Sequence, residues 1–150
     1  MDGRTDPDLR RRLTEGLYSE AMLLADEARS YFDLGGRGDR DGLAPVQRVA
    51  FSCEALKLTT RLMHVIAWLL TQRAVDAGEL SAADACAPTR RLGDAPVTDG
   101  DMLATMPPRA RGLVATSIDL HRRVARLDRT VADDMPNPAH LLHDRLVAAF

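Results

Sequence analysis

Apolar residues recur at spacings of three and four from Leu9 through Leu13, Leu17, Ala21, Leu24 and Ala28 to Tyr31, which marks one face of an α-helix. Asp6-Pro7 offers an N-cap and a proline at the first helical position, where its missing N–H costs nothing. Gly35-Gly36 ends the pattern, and the polar Gly/Asp/Arg stretch up to Gly42 reads as a loop. A first helix is therefore expected over residues 7–34.

Pro45 opens a second helix, and no Gly or Pro follows until Gly78, a natural C-cap, which predicts a helix over residues 45–77. At the α-helical rise per residue it would span roughly 50 Å. It carries two apolar stripes. One runs Val49, Cys53, Leu56, Thr60, Met63, Ala67, Leu70 and Ala74; the other runs Phe51, Ala55, Leu58, Leu62, Val65 and Leu69. A helix apolar over so wide an arc is covered on two sides. Two neighbouring helices account for much of that cover. A self-association face through Leu58, Leu62, Val65 and Leu69 is expected to account for the rest.

Leu113, Ser117, Leu120, Val124, Leu127 and Val131 keep a 4-3-4-3-4 spacing, a heptad seam that predicts a third helix over residues 109–134. Its other face carries Arg122, Arg123, Arg126 and Arg129, with Asp119 one turn before Arg123 and placed to pair with it. Pro136 and Pro138 stop it.

Between the second and third helices, residues 78–108 contain too many prolines and glycines for one long helix, although Ser81 to Ala85 could form a helical turn. Such a connection exceeds what two packed antiparallel helices require, and loops of that length are usually functional or disordered. The tail, residues 135–150, gathers Leu141, Leu142, Leu146, Val147 and Phe150 at roughly helical spacing. It either docks as a fourth short helix or stands free as a recognition peptide. The sum is an all-α fold: one domain, an elongated antiparallel three-helix bundle with a long irregular loop and a short apolar C-terminal segment.

Composition agrees with that picture. Of 150 residues, 45% are hydrophobic but only 4% aromatic, so the core is aliphatic, which suits packed helices better than sheets. Charged residues reach 28% with a formal net charge of −2, so no global field points to nucleic acid or an anionic membrane. The uncharged run from Leu62 to Gln72 is far shorter than the ~20 residues that span a bilayer. Cys53 and Cys86 form no metal-ligand or redox spacing, and the polar start MDGRTDPDLRRR lacks a signal-peptide core; the expected home is the cytoplasm.

Catalytic chemistry finds no foothold. Di-metal bundles use Glu-x-x-His pairs and further glutamates, and none of Glu15, Glu20, Glu27, Glu54 and Glu79 forms such a pair or an E-x-x-E. His140 and His143 lack further ligands, and His64 has no nucleophile of fixed position beside it. Gly35-Gly36-Arg37-Gly38 follows a helix rather than a strand and is no phosphate loop. The expectation is a protein that is not an enzyme and takes no metal or cofactor. Partner contacts are expected at Arg122, Arg123 and Arg126 and at Leu141, Leu142, Leu146 and Phe150. The alternative, a nucleic-acid-associated bundle, would use the same arginine face, but that face has no aromatic stacking platform and is flanked by Asp119, Asp128, Asp133 and Asp134.

Residues 58–80, LTTRLMHVIAWLLTQRAVDAGEL, are more specific than periodicity alone. They resemble the signature helix of a bacterial family of small helical proteins named for the regulator of CtrA degradation, RcdA. More loosely the resemblance spans the whole chain, with a first helix ending in Tyr-Phe-Asp, a long central helix, an irregular loop and a third helix. It implies a homodimeric three-helix bundle acting as an adaptor for the ClpXP protease. Partners would be the protease unfoldase, other adaptors and cell-cycle regulators as cargo, engaged at the cell pole. The polar members of the motif, Thr60, Arg61, Gln72 and Arg73, are expected to set helix register or dimer geometry through hydrogen bonds.

Overall fold

A computed structural model describes residues 7–135 and 138–150. The Asp6 cap and the Pro136 stop lie outside them, as do the side chains of His140 and Leu141. The chain is all-helical: α1 (Pro7–Ser30), α2 (Arg37–Asp41), α3 (Pro45–Asp76), α4 (Ala82–Ala85), α5 (Gly100–Ala104), α6 (Pro108–Asp133) and α7 (Pro138–Ala148). The three long helices, α1, α3 and α6, each pack against the other two.

The ends of these helices follow from local chemistry. At the start of α3, Pro45 fills the first position and Gln47 Oε1 accepts from the Ala44 N–H at 3.3 Å. At its end Gly78 takes φ +74°, so that Glu79 N–H reaches Ala74 O (2.9 Å) and Gly78 N–H reaches Val75 O (3.0 Å), a Schellman stop. The stretch expected to be a polar loop after α1 is instead helical. α1 widens into a π-helical turn over Tyr31–Gly35, which is followed by α2. Gly36 is required there, because a Cβ would come within 2.7 Å of Tyr31 O and 3.0 Å of the Tyr31 ring. That close approach seats Tyr31 against Phe32 (5.0 Å between ring centroids) and Phe51 (6.1 Å), and its hydroxyl donates to Asp39 at 2.7 Å.

The core runs along the shared axis through Leu24, Ala28, Phe51, Val65, Leu120 and Val124. The heptad seam of α6 faces inward as its spacing requires, with Leu113, Ser117, Leu120, Val124 and Val131 buried and Leu127 partly so. On α3 the stripe through Phe51, Leu58, Leu62, Val65 and Leu69 also faces inward. Leu58, Leu62, Val65 and Leu69 are between 0% and 4% exposed, so the expected self-association face is instead the core of the chain itself. Val65 and Leu69 are wholly enclosed, and Leu58 and Leu62 show only a sliver of surface at the floor of a trough between α1 and α3.

The antiparallel arrangement also needs correcting. α1 runs opposite to α3, with Tyr18 under Arg73 near one end and Phe32 against Phe51 near the other. It runs opposite to α6 too, where Arg10 pairs with Asp134 and Glu20 with Arg123. α3 and α6, however, run in the same direction. Arg61 meets Ser117, and further along both helices Trp68 meets Asp128. Two parallel neighbours cannot be joined by a short turn, because the chain must return the length of the bundle first. Residues 77–107 make that return. α4 seats Ala85 in the interior, the segment 92–99 runs extended, and α5 leads into the buried Met106.

Candidate interaction surfaces

The returning segment lies in the furrow between α3 and α6, held mainly by side chains that grip its backbone. His121 Nε2 lies 2.8 Å from Gly93 O and His64 Nδ1 lies 3.0 Å from Asp94 O. Arg61 Nη2 donates to Pro96 O at 2.9 Å, and Lys57 Nζ to Val97 O at 2.8 Å. Thr98 is the hinge of the arrangement: it accepts from Arg61 at 2.5 Å and donates to Glu54 Oε2 at 2.7 Å. At the other end Arg91 makes a two-pronged bond to Asp128 (2.9 Å each), whose carboxylate also accepts from the Trp68 indole N–H at 2.9 Å.

The electrostatics of this furrow follow from burial. Arg61 is 1% exposed, and desolvation pulls its pKa below the usual guanidinium value, with Glu54 partly offsetting the loss. Its Nε finds no partner. Arg91 is raised, chiefly by its bonds to Asp128. So Arg61, expected to set register or dimer geometry, fastens the crossover. Among the other polar members of the motif, Gln72 is buried, while Thr60 bonds back to Leu56 O (3.0 Å) and Arg73 lies over the Tyr18 ring at 4.4 Å.

The other apolar stripe of α3 is the one left at the surface. Val49, Leu56, Met63 and Leu70 are 65%, 69%, 64% and 47% exposed, seven residues apart along one seam. Beside it a trough of about 610 Å³ opens between α1 and α3, with Ala28, Phe51 and Leu62 beneath, Leu56 and Met63 along its wall, and Arg29 among its rim residues. Single exposed apolar side chains are ordinary; a periodic row beside an apolar trough marks a contact surface.

The residues expected to meet partners divide. Arg123 is occupied: it donates to Glu20 (3.0 Å) and to Asp119 (3.0 Å), and the Glu20 bonds raise its pKa. Arg122 and Arg126 are exposed, as is Arg129, so the basic face is narrower than four arginines suggest. On α7, Leu142, Leu146 and Val147 are exposed, as is Phe150 just beyond it. Sequence reasoning missed the furrow altogether, although Arg61, His64 and Trp68 at spacings of three and four were a signal that one polar line runs along α3. Among the described residues no group of three His, Cys, Asp or Glu could hold a metal ion, and no helix is long and apolar enough to cross a membrane.

No curated protein sequence matches the chain. A family described as a protein of unknown function (DUF1465) matches residues 5–150. The crystal structure of RcdA from Caulobacter crescentus CB15 is 32% identical and superposes with a TM-score of 0.67, covering 89% of this chain and 97% of that one. With the family match spanning nearly every residue and the solved relative sharing both sequence and shape, the chain belongs to the DUF1465 family, which is the RcdA family.

Proposed function

We propose that this protein is a non-enzymatic adaptor that, as a homodimer in the cytoplasm and at the cell pole, promotes proteolysis of cell-cycle regulators by ClpXP. The family membership supports an adaptor acting in cell-cycle regulation. The observation that carries a protein-binding role is the exposed seam of Val49, Leu56, Met63 and Leu70 beside the apolar trough. A seven-residue apolar repeat on a straight helix suits a second helix laid against it, so the seam takes the second copy. The exposed Arg122 and Arg126 and the tail residues Leu141, Leu142, Leu146 and Phe150 then remain for the unfoldase, other adaptors and cargo.

Capture from the native host's lysate tests this reading, comparing the full chain with one ending after Met135. Recovery of the protease's unfoldase by the full chain, lost on truncation, places the recognition element in the tail. Failure of either chain to recover the unfoldase or an adaptor removes the proteolytic role.

A further inference from the structure

The furrow between α3 and α6 treats the returning segment as a bound peptide would be treated. Four carbonyls within five residues, those of Gly93 and Asp94 and, past Ala95, of Pro96 and Val97, are met by His121, His64, Arg61 and Lys57. Three features of the segment are read through side chains. Arg91 is clasped by Asp128, Thr98 bridges Glu54 and Arg61, and a Cβ on Gly93 would stand 2.6 Å from His64 Nδ1, so a larger residue there would displace the His64 ring. The groups beneath are carried by α3 and α6 and are buried with the segment in place: Glu54, Arg61, Trp68, Ser117 and Asp128 are all under 9% exposed. The segment above them is not. No residue from Arg91 to Asp99 is fully buried, and Val97 is 84% exposed.

That asymmetry distinguishes an occupant from a structural member. Leu92 alone of the segment packs against the hydrophobic core, so little other apolar surface is lost when the stretch beyond it lifts, whereas the donors and acceptors it meets are carried by α3 and α6. We infer that the furrow is a peptide-binding groove filled in cis by residues 91–99, and that an extended segment of a partner protein carrying Arg, then Gly two residues on and Thr seven residues on, takes its place. The inference stands apart from the adaptor reading, since it uses neither the α3 seam nor the tail.

The test uses a fluorescent peptide of residues 90–100 and the full chain carrying Arg91→Ala, Gly93→Ala and Thr98→Val, which loosens the resident segment. The variant is expected to bind the peptide saturably and at least tenfold more tightly than the unaltered chain, whose own segment competes. A peptide carrying Gly93→Ala and Thr98→Val should not bind. A helical variant that ignores the peptide, or that binds both peptides alike, overturns the inference. Should the variant lose its helical circular dichroism, a chain cut at a protease site inserted between Asp99 and Gly100 decides. Retained helicity with uptake of the peptide supports a displaceable occupant; collapse, or no uptake, shows that the segment is a fixed part of the fold.

Discussion

Arg61 is the residue on which most of the furrow turns. Its guanidinium is removed from water and reaches Ser117, Pro96 O and Thr98, with Glu54 one hydroxyl away. Truncating Arg61 strips Ser117, Pro96 O and Thr98 of their buried charged donor and leaves Glu54 to Thr98 and Lys57 (3.1 Å), a loss of about 1.5–3 kcal/mol for a hydrogen bond to a charged group. Arg61→Leu is therefore expected to lower the urea midpoint sharply, and adding Glu54→Leu to restore part of the loss. Additive losses in the double variant would mean that the two side chains do not act together. Tyr31 gives a prediction with pH. Burial, and then its hydrogen bond to the Asp39 carboxylate, push the phenol above its ordinary range. A raised folded pKa means the unfolded chain loses its proton first, so the stability this group lends is whole below about pH 10 and falls as pH rises beyond it. Tyr31→Phe should flatten the decline of the urea midpoint between roughly pH 10 and 11. An unchanged slope would place the decline elsewhere in the molecule.

At the scale of the element, the two faces of α3 should respond oppositely to the same kind of change. Leu62 is 4% exposed in the core, and Leu62→Ala is expected to cost about 2–5 kcal/mol. Leu56 is on the open seam, and Leu56→Ala should shift the stability of the isolated chain by no more than about 0.5 kcal/mol. Denaturation of both at a concentration low enough to keep the chain single distinguishes them. The helices α1, α3 and α6 were legible in the sequence because each repeats apolar residues at helical spacing between Pro and Gly boundaries. Which face of α3 turns inward was not, since both stripes are apolar and periodicity has no sign. The clue lay in the polar residues: Glu54, Arg61 and Gln72 are all buried beside the inner stripe, where only specific partners make them tolerable. The partners of Arg61, and that of Glu54 beyond its neighbour Lys57, come from residues 96–98 and from α6, remote in sequence, so no local pattern could announce them. The parallel course of α3 and α6 was hidden for the same reason. The length of the connection was visible, but its purpose depends on the direction of a helix that has not yet begun.

For the whole molecule the question is what covers the α3 seam. Within one chain, Val49, Leu56, Met63 and Leu70 present a row some 30 Å long to solvent, taking the helical rise over these positions. An apolar face of that extent gains most by meeting its own kind across a two-fold axis, since an isologous contact uses each residue twice. Dimerisation then links stability to concentration: a state that binds its partner only when folded melts at higher temperature as protein concentration rises. The melting temperature of the unaltered chain is expected to climb across a hundredfold increase in protein concentration, and that of Leu56→Glu/Met63→Glu to stay flat. Sedimentation should show the variant as a single chain with its helicity intact, because both side chains are already in water when the chain is alone. A concentration dependence that survives these two charges would move the contact away from α3, and the exposed apolar residues of α7 would be the next face to alter.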